Sequence, residues 1–236
     1  MPRRQDVLDT VARALSRPIA AGVTRVAIDG VDGAGKTHFA DELAEVLGAS
    51  GRSVIRASVD GFHNPRSIRY RLGRDSPEGF FEDSYDYAQL KAVLLDPLSP
   101  GGHGHYRAAV FDHRSDSPVS APSRVASPGD ILVLDGIFLH RPELRAYWDY
   151  SIFLEVAFAV SIPRGAQRGE GSPDPEAASN QRYVRGQRLY LRSCEPARFA
   201  TVTINNDDLL APYFVMPSAP DATSTPAPGR RGGSTP

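Results

Sequence analysis

Gly30, Val31, Asp32, Gly33, Ala34, Gly35, Lys36 and Thr37 follow the spacing G-x-x-x-x-G-K-[ST], which suits a loop that holds phosphate. The glycines let the backbone bend so that successive N–H groups point into one concavity at the start of a helix. Lys36 can reach the β- and γ-phosphates of a nucleotide, and the Thr37 hydroxyl can bind Mg²⁺. Of the 27 basic residues only Lys36 and Lys91 are lysine, and one of the two falls where this pattern requires an ammonium.

Two further acids can join this chemistry. Asp135 closes the apolar run Ile131-Leu132-Val133-Leu134, so it sits where a second carboxylate could hold the metal directly or through water. It could also simply start a turn with Gly136. Asp60 follows the run Ser53 to Ser58 and opens Asp60-Gly61-Phe62-His63, which puts an acid and an imidazole in one short turn. A carboxylate there can orient an acceptor hydroxyl and take its proton. The alternatives for Asp60 are a helix N-cap or a second metal ligand.

Such residues need a scaffold. Val23 to Asp29, Ser53 to Ser58, Ile131 to Leu134, Ser151 to Val156 and Thr201 to Ile204 are short apolar runs that predict buried strands. Helical spacing recurs at Val7, Leu8, Val11, Ala12 and Leu15, and again at Phe39, Leu43, Val46 and Leu47, with Gly48 and Gly51 ending the second helix. A further helix is expected from about Ala157. Strands separated by helices predict a parallel α/β sheet covered on both faces. Two segments break the rhythm. Residues 99–127 are rich in Gly, Pro, Ser and His and predict a long loop or irregular hairpin. Residues 165–180, also Gly- and Pro-rich, predict a lid. From about Pro217 the composition predicts a disordered tail, which leaves residues 1–216 as the domain.

Composition excludes several classes. Hydrophobic residues are 41% and charged residues 23% of the 236, as in globular proteins. No run approaches the ~18 apolar residues of a membrane span, and no apolar segment follows the polar N-terminus as a secretory signal would. The single cysteine, Cys194, rules out an internal disulfide framework and suits a reducing, cytoplasmic setting. A net charge of -1 gives no global field toward nucleic acid. Homo-oligomerisation stays open. His103 and His105 have His-x-His spacing, which reads better as flexible loop than as metal site. Arg66, Arg69, Arg71 and Arg74 cluster after the Asp60 turn, either as a solvated helix or as a site for an anionic acceptor.

A phosphate loop specifies nucleotide, not reaction. A guanine-specific switch expects Asn-Lys-x-Asp, and Asn205-Asn206-Asp207-Asp208 lacks the lysine. A small-molecule kinase needs an acceptor pocket, a base and a cationic lid, all of which have candidates here. An ATPase or nucleotide switch without acceptor is the competing class.

The order of motifs resembles the uridine kinase-like branch of P-loop kinases, which also holds phosphoribulokinase and pantothenate kinase. It runs from the phosphate loop through Asp60-Gly61-Phe62-His63 and Ser84-Tyr85-Asp86-Tyr87 to Tyr106, Phe111-Asp112-His113-Arg114 and Asp135-Gly136. The phosphate loop alone also resembles that of thymidylate kinases, but this chain lacks their Asp-Arg pair. The resemblance covers roughly residues 23–215. It implies a three-layer fold with a parallel five-stranded sheet and ATP- and Mg²⁺-dependent transfer to a hydroxyl, first of all a nucleoside's 5′-hydroxyl. It implies that Asp60 is the base and contacts the sugar, with His63 beside it. It assigns the pyrimidine to Tyr106 and His113, with Arg114 nearby. It puts a mobile lid at about 163–180, where Arg164 and Arg168 would close on the transferring phosphoryl group. The helix after the lid, with Tyr183 and Gln187, would then pack over the acceptor.

Overall fold

Short β-branched runs, buried on both faces, can pair only with one another, and they form the centre of the molecule. In the computed structural model, which describes residues 3–16, 22–169 and 171–216, the strands in chain order are β1 (Thr24–Gly30), β2 (Val54–Ser58), β3 (His105–Tyr106), β4 (Phe111–Asp112), β5 (Ser117–Pro118), β6 (Arg124–Val125), β7 (Ile131–Gly136), β8 (Tyr150–Glu155), β9 (Val202–Asn205) and β10 (Tyr213–Val215). The helices are α1 (Arg4–Leu15), α2 (Lys36–Ala49), α3 (Arg66–Arg69), α4 (Pro77–Asp83), α5 (Tyr87–Leu90), α6 (Pro142–Arg145), α7 (Phe158–Gln167), α8 (Gln181–Cys194) and α9 (Pro196–Phe199). The tail expected from Pro217 lies outside the described residues.

The main sheet has the order β2-β7-β1-β8-β9-β10. Its first five strands are parallel, as the sequence predicts, and β10 adds a sixth strand antiparallel to β9. Three residues of β10 were too short a pattern to read. The long loop of residues 99–127 carries two small antiparallel pairs, β3 with β6 and β4 with β5.

Alternation along the strands sorts side chains between two cores. Val26, Ile28, Ile131 and Val133 pack with α1 and α2 on one face. Ala27, Leu132 and Leu134 pack with Phe80, Phe81, Phe138 and Tyr190 on the other. On that second face α8 lies close on α4, because Gly186 has no side chain: a Cβ there would come within 2.7 Å of the Phe80 ring and 2.8 Å of the Pro77 carbonyl. α7 continues through Pro163, which removes one backbone hydrogen bond but does not end the helix.

One buried polar knot ties three elements together beneath the phosphate loop. Asp29, fully buried on β1, accepts hydrogen bonds from the backbone N–H of Gly30 at 2.7 Å and of His140 at 3.0 Å. It also accepts from His140 Nδ1 at 2.7 Å and from the Tyr190 hydroxyl of α8. Burial and the neighbouring Asp29 charge push the Tyr190 phenol well above its ordinary range, so it remains a donor. Removing one side of a buried ionic or charge-assisted cluster is costly. Asp29→Ala is therefore expected to lower unfolding free energy by about 3–5 kcal/mol. Denaturant titration checks this, and a change under about 1 kcal/mol would deny the knot any structural weight.

Candidate active site

The phosphate loop connects β1 to α2 across the carboxyl edge of the sheet. Gly33 and Gly35 have φ of 73° and 86°, which residues with a Cβ rarely adopt. Gly33 also lies against α7, and a Cβ there would sit 2.0 Å from the Ser161 carbonyl oxygen. Gly33→Ala must therefore move the loop or α7. It is expected to weaken nucleotide binding at least about tenfold, with the positive φ alone costing roughly 1–2 kcal/mol. Calorimetric titration against wild type measures it, and unchanged affinity would mean that the loop tolerates the shift.

Within the loop, Lys36 Nζ donates to the Val31 carbonyl at 2.8 Å, so the ammonium lies over the concavity formed by the backbone. Gly30, Val31 and Ala34 are buried within the loop, and the Ala34 carbonyl accepts from Asn206 Nδ2 at 2.7 Å. Gln187 of α8 secures Asp32 twice: its Oε1 accepts from the Asp32 backbone N–H at 2.8 Å, and its Nε2 donates to the Asp32 carboxylate at 3.1 Å. Gln187 is fully buried, so the structure gives it a place against the phosphate loop.

Register decides where Asp135 points. It follows Val133 by two residues on β7, so it shares the α2 face, where Thr37 begins the helix. Thr37 Oγ1 donates to Asp135 Oδ2 at 2.7 Å. The other oxygen accepts from Arg56 at 3.0 Å, and Arg56 also pairs with Asp41 of α2 at 2.8 Å. Arg56 is a neighbour that no sequence pattern singled out, since an arginine on a strand carries no motif. Among the described residues there is no cluster of three His, Cys, Asp or Glu side chains able to hold a metal. Thr37 and Asp135 offer two hard oxygens, which suits Mg²⁺ shared with a nucleotide's phosphates rather than a protein-only cage.

Asp60 sits in the turn after β2, exposed at the same edge. The cap of that turn is Ser58, whose Oγ accepts from the Asp60 N–H at 3.3 Å, so the N-cap alternative for Asp60 does not hold. The Tyr85 hydroxyl donates to Asp60 Oδ1 at 3.2 Å. Burial, reinforced by the Asp60 charge, raises the Tyr85 phenol well above its usual value, so it stays protonated. The Nδ1–H of His63 donates to the Asp60 carbonyl at 2.9 Å. Burial lowers the His63 ring below its ordinary value, outweighing the Asp60 carbonyl and charge, so the ring is neutral at pH 7 with Nε2 as its acceptor. Its ring lies 4.5 Å from both Tyr85 and His113.

Two cavities meet at Asp60. The smaller, about 310 Å³, is lined by Lys36, Thr37, Asp135 and Arg168. The larger, about 520 Å³, is lined by His63, His113, Tyr183 and Gln187 and by Arg69 and Arg182. Asp32, Asp60 and Tyr85 line both. The two arginines expected on a lid part company. Arg168 faces the phosphate cavity, whereas Arg164 turns to the carbonyls of Asn206 and Asp207. Arg168 stands just past the end of α7, where the chain leaves the helix, so a spacing of four does not keep them on one face.

Tyr106 and Arg114 lie outside both cavities. Tyr106, on β3 of the long loop, is buried in the core, and Arg114 is exposed, its carbonyl accepting from Arg66 at 3.3 Å. Phe80, Phe81, Tyr85 and Tyr87 pack in that same core region. The rings of His103 and His105 stand 5.8 Å apart at the surface, and among the described residues no third ligand joins them.

A central parallel sheet, a glycine-bent loop running into a helix, and a carboxylate from the adjacent strand against the helix's first hydroxyl define a nucleotide-binding kinase of the P-loop class. The sequence pattern of the Phosphoribulokinase / Uridine kinase family matches residues 25–171, more than half of the chain, and the chain belongs to that family. It is accordingly a phosphotransferase. No curated protein sequence matches it. Among solved structures it is similar to a possible uridine kinase from Bacillus stearothermophilus, with a TM-score of 0.67 and 24% identity over 84% of this chain and 97% of that one. It is similar to phosphoribulokinase from Rhodobacter spheroides, with a TM-score of 0.55 and 15% identity over 79% and 71% of the two chains. D-glycerate 3-kinase from Cryptococcus neoformans gives a TM-score of 0.50 and 12% identity over 79% and 87%. At these identities the likeness is one of fold. No helix of the described residues is long and apolar enough to cross a membrane.

Proposed function

We propose that this chain transfers the γ-phosphoryl group of ATP, with Mg²⁺, to a hydroxyl of a small molecule held in the larger cavity. The carrying observation is Asp60, whose side of the turn borders both the phosphate cavity and the acceptor cavity. In this reading residues 1–216 form one kinase domain, and residues 163–180 are its lid.

The phosphate loop N–H groups and Lys36 hold the β- and γ-phosphates. Thr37 and Asp135 would hold Mg²⁺, which would neutralise charge on those phosphates. Asp60 accepts the proton of the acceptor hydroxyl as its oxygen bonds to the γ-phosphorus. The bond from that phosphorus to the β–γ bridging oxygen breaks, leaving ADP and a phosphate ester. Tyr85 keeps the Asp60 carboxylate aimed, and Arg168 lies where it can stabilise charge on the transferring group.

The family resemblance suggests a nucleoside 5′-hydroxyl, as in uridine or cytidine. Of the two side chains assigned to a pyrimidine, His113 lines the cavity and Tyr106 does not. The test is ADP release by the full chain with ATP and Mg²⁺ over a panel of nucleosides, sugars, sugar phosphates and hydroxy acids. A kinase shows a rise of at least about tenfold with one of them. Release that no compound raises would favour the acceptor-free ATPase or switch.

A further inference from the structure

β2 is the outer strand of the main sheet, and its alternate residues Val54, Arg56 and Ser58 are only partly buried. In the register Arg56 stands beside Val133 of β7, two residues before Asp135, so its side chain leaves the sheet on the α2 face that Asp135 shares. A guanidinium has five N–H groups, and five hydrogen bonds take up those of Arg56. Nε and Nη2 donate to Asp41 Oδ1 of α2 at 3.0 and 2.8 Å. Nη1 donates to the carbonyls of Ala57 at 2.9 Å and Val133 at 2.8 Å. The second Nη2 bond goes to Asp135 Oδ1 at 3.0 Å. No N–H is left over for a phosphate, and Arg56 does not line the phosphate cavity. Its influence on that cavity must pass through Asp135.

Asp135 is buried, and each of its oxygens accepts from a different element: Oδ2 from Thr37 of α2 at 2.7 Å, and Oδ1 from Arg56 of β2 at 3.0 Å. Bonds at both oxygens fix the rotation of a carboxylate, which a single bond does not. The Thr37 hydrogen is committed to Asp135, so the lone pairs of the Thr37 oxygen remain for a metal. Without Arg56, Oδ1 becomes a buried acceptor with no protein partner, and the carboxylate is free to turn away from Thr37. By charge alone Arg56 would oppose a bound cation. Asp41 pairs with it at 2.8 Å and offsets that charge, so the aim of Asp135 is the larger effect.

We propose that Arg56 is a positioning residue for Mg²⁺: it fixes the Asp135 carboxylate and, through it, the Thr37 hydroxyl in the orientation that receives the metal. This rests on the kinase reading above, in which Thr37 and Asp135 would hold Mg²⁺. Mutating the outer partner of a metal-site residue typically costs about 10–100-fold in metal affinity. Lysine is no substitute, because one ammonium cannot reach Asp41, Asp135 and two carbonyls at once.

The experiment titrates a non-hydrolysable ATP analogue into the full chain by calorimetry, first with EDTA and then over a series of Mg²⁺ concentrations. The readout is the factor by which Mg²⁺ tightens binding of the analogue. Arg56→Gln should lower that factor about tenfold or remove it, while binding in EDTA changes by less than about threefold. Arg56→Lys should match Arg56→Gln to within about threefold, since the fork and not the charge is what is lost. If Arg56 acts through Asp135, adding Arg56→Gln to an Asp135→Asn variant should change the factor by less than about twofold. Melting curves accompany each titration, and Arg56→Lys, which keeps the charge, carries the test if Arg56→Gln does not fold. An arginine of structural value only would lower the melting temperature and leave the Mg²⁺ factor unchanged, which overturns the proposal. A factor that rises in Arg56→Gln also overturns it, as does full recovery in Arg56→Lys or an undiminished loss in the Asp135→Asn background. Wild type that binds the analogue no better with Mg²⁺ would remove the metal assignment and the proposal together. Failure of the analogue to bind at all would instead count against the kinase reading itself.

Discussion

Lys36→Ala should abolish most phosphoryl transfer while leaving the fold in place. The ammonium is held at the mouth of the phosphate loop by one bond to the Val31 carbonyl at 2.8 Å. Losing one such bond at a partly exposed site costs about 1 kcal/mol of stability. During transfer the same group faces charge developing on the β–γ bridge, and deleting one stabilising donor of that kind lowers turnover by roughly 10²–10³-fold or more. Lys36→Arg should fail almost as badly. A planar, forked guanidinium cannot occupy a concavity shaped around a compact ammonium, although its charge is the same. The measurement is steady-state ADP release for both variants beside their melting curves. Near-normal activity of Lys36→Arg would remove the phosphate-loop lysine from the mechanism, and a collapse in melting temperature would mean its role is structural.

Asp60→Asn separates the remaining roles of that residue. Amide and carboxylate have the same shape, and the Tyr85 hydroxyl can still donate to the retained carbonyl oxygen in place of the contact now seen at 3.2 Å. Ser58, not Asp60, caps the turn, so stability should hardly change. If Asp60 takes the acceptor's proton, turnover should fall by roughly 10²–10⁴-fold with nucleotide affinity nearly intact. If it is chiefly a metal ligand, the Mg²⁺ requirement should rise and nucleotide binding weaken together with turnover. Acceptor turnover, a Mg²⁺ titration and nucleotide binding on this one variant distinguish the two. Full acceptor-dependent turnover would exclude Asp60 as the base.

Much of the scaffold was legible because it depends on local chemistry. The five parallel strands lie within a residue or two of the apolar runs that predict them, since a strand buried on both faces must be apolar almost throughout. The phosphate loop was legible for a different reason: Gly33 and Gly35 hold backbone angles that restrict the residue type, so the requirement is written into the sequence itself. The edge strand β10 was not legible, because three residues carry too little pattern and the partner that makes them a strand, β9, supplies the reason.

The assignments that needed tertiary structure all depend on direction or on distance along the chain. Arg164 and Arg168 look equivalent by spacing, yet one caps carbonyls at 206 and 207 and the other borders the phosphate cavity, because α7 ends between them. Tyr106 looks like a binding residue by motif order, but the short β3–β6 pair turns it into the core. Gln187 reaches Asp32 only because α8 folds back over the loop that leads into α2. Arg182 precedes Arg185, Arg188 and Arg192 at helical spacing, which by sequence alone makes a basic stripe, whereas Gly186 lets α8 settle on α4 and brings Arg182 onto the Arg69 carbonyl. The sequence by itself determined the kind of sheet, the phosphate loop and the candidate acids, because each is encoded within a few consecutive residues. Only the tertiary structure decided which side chains share the larger cavity. Those neighbours lie up to 155 residues apart, as Asp32 and Gln187 do, and packing alone sets their orientation.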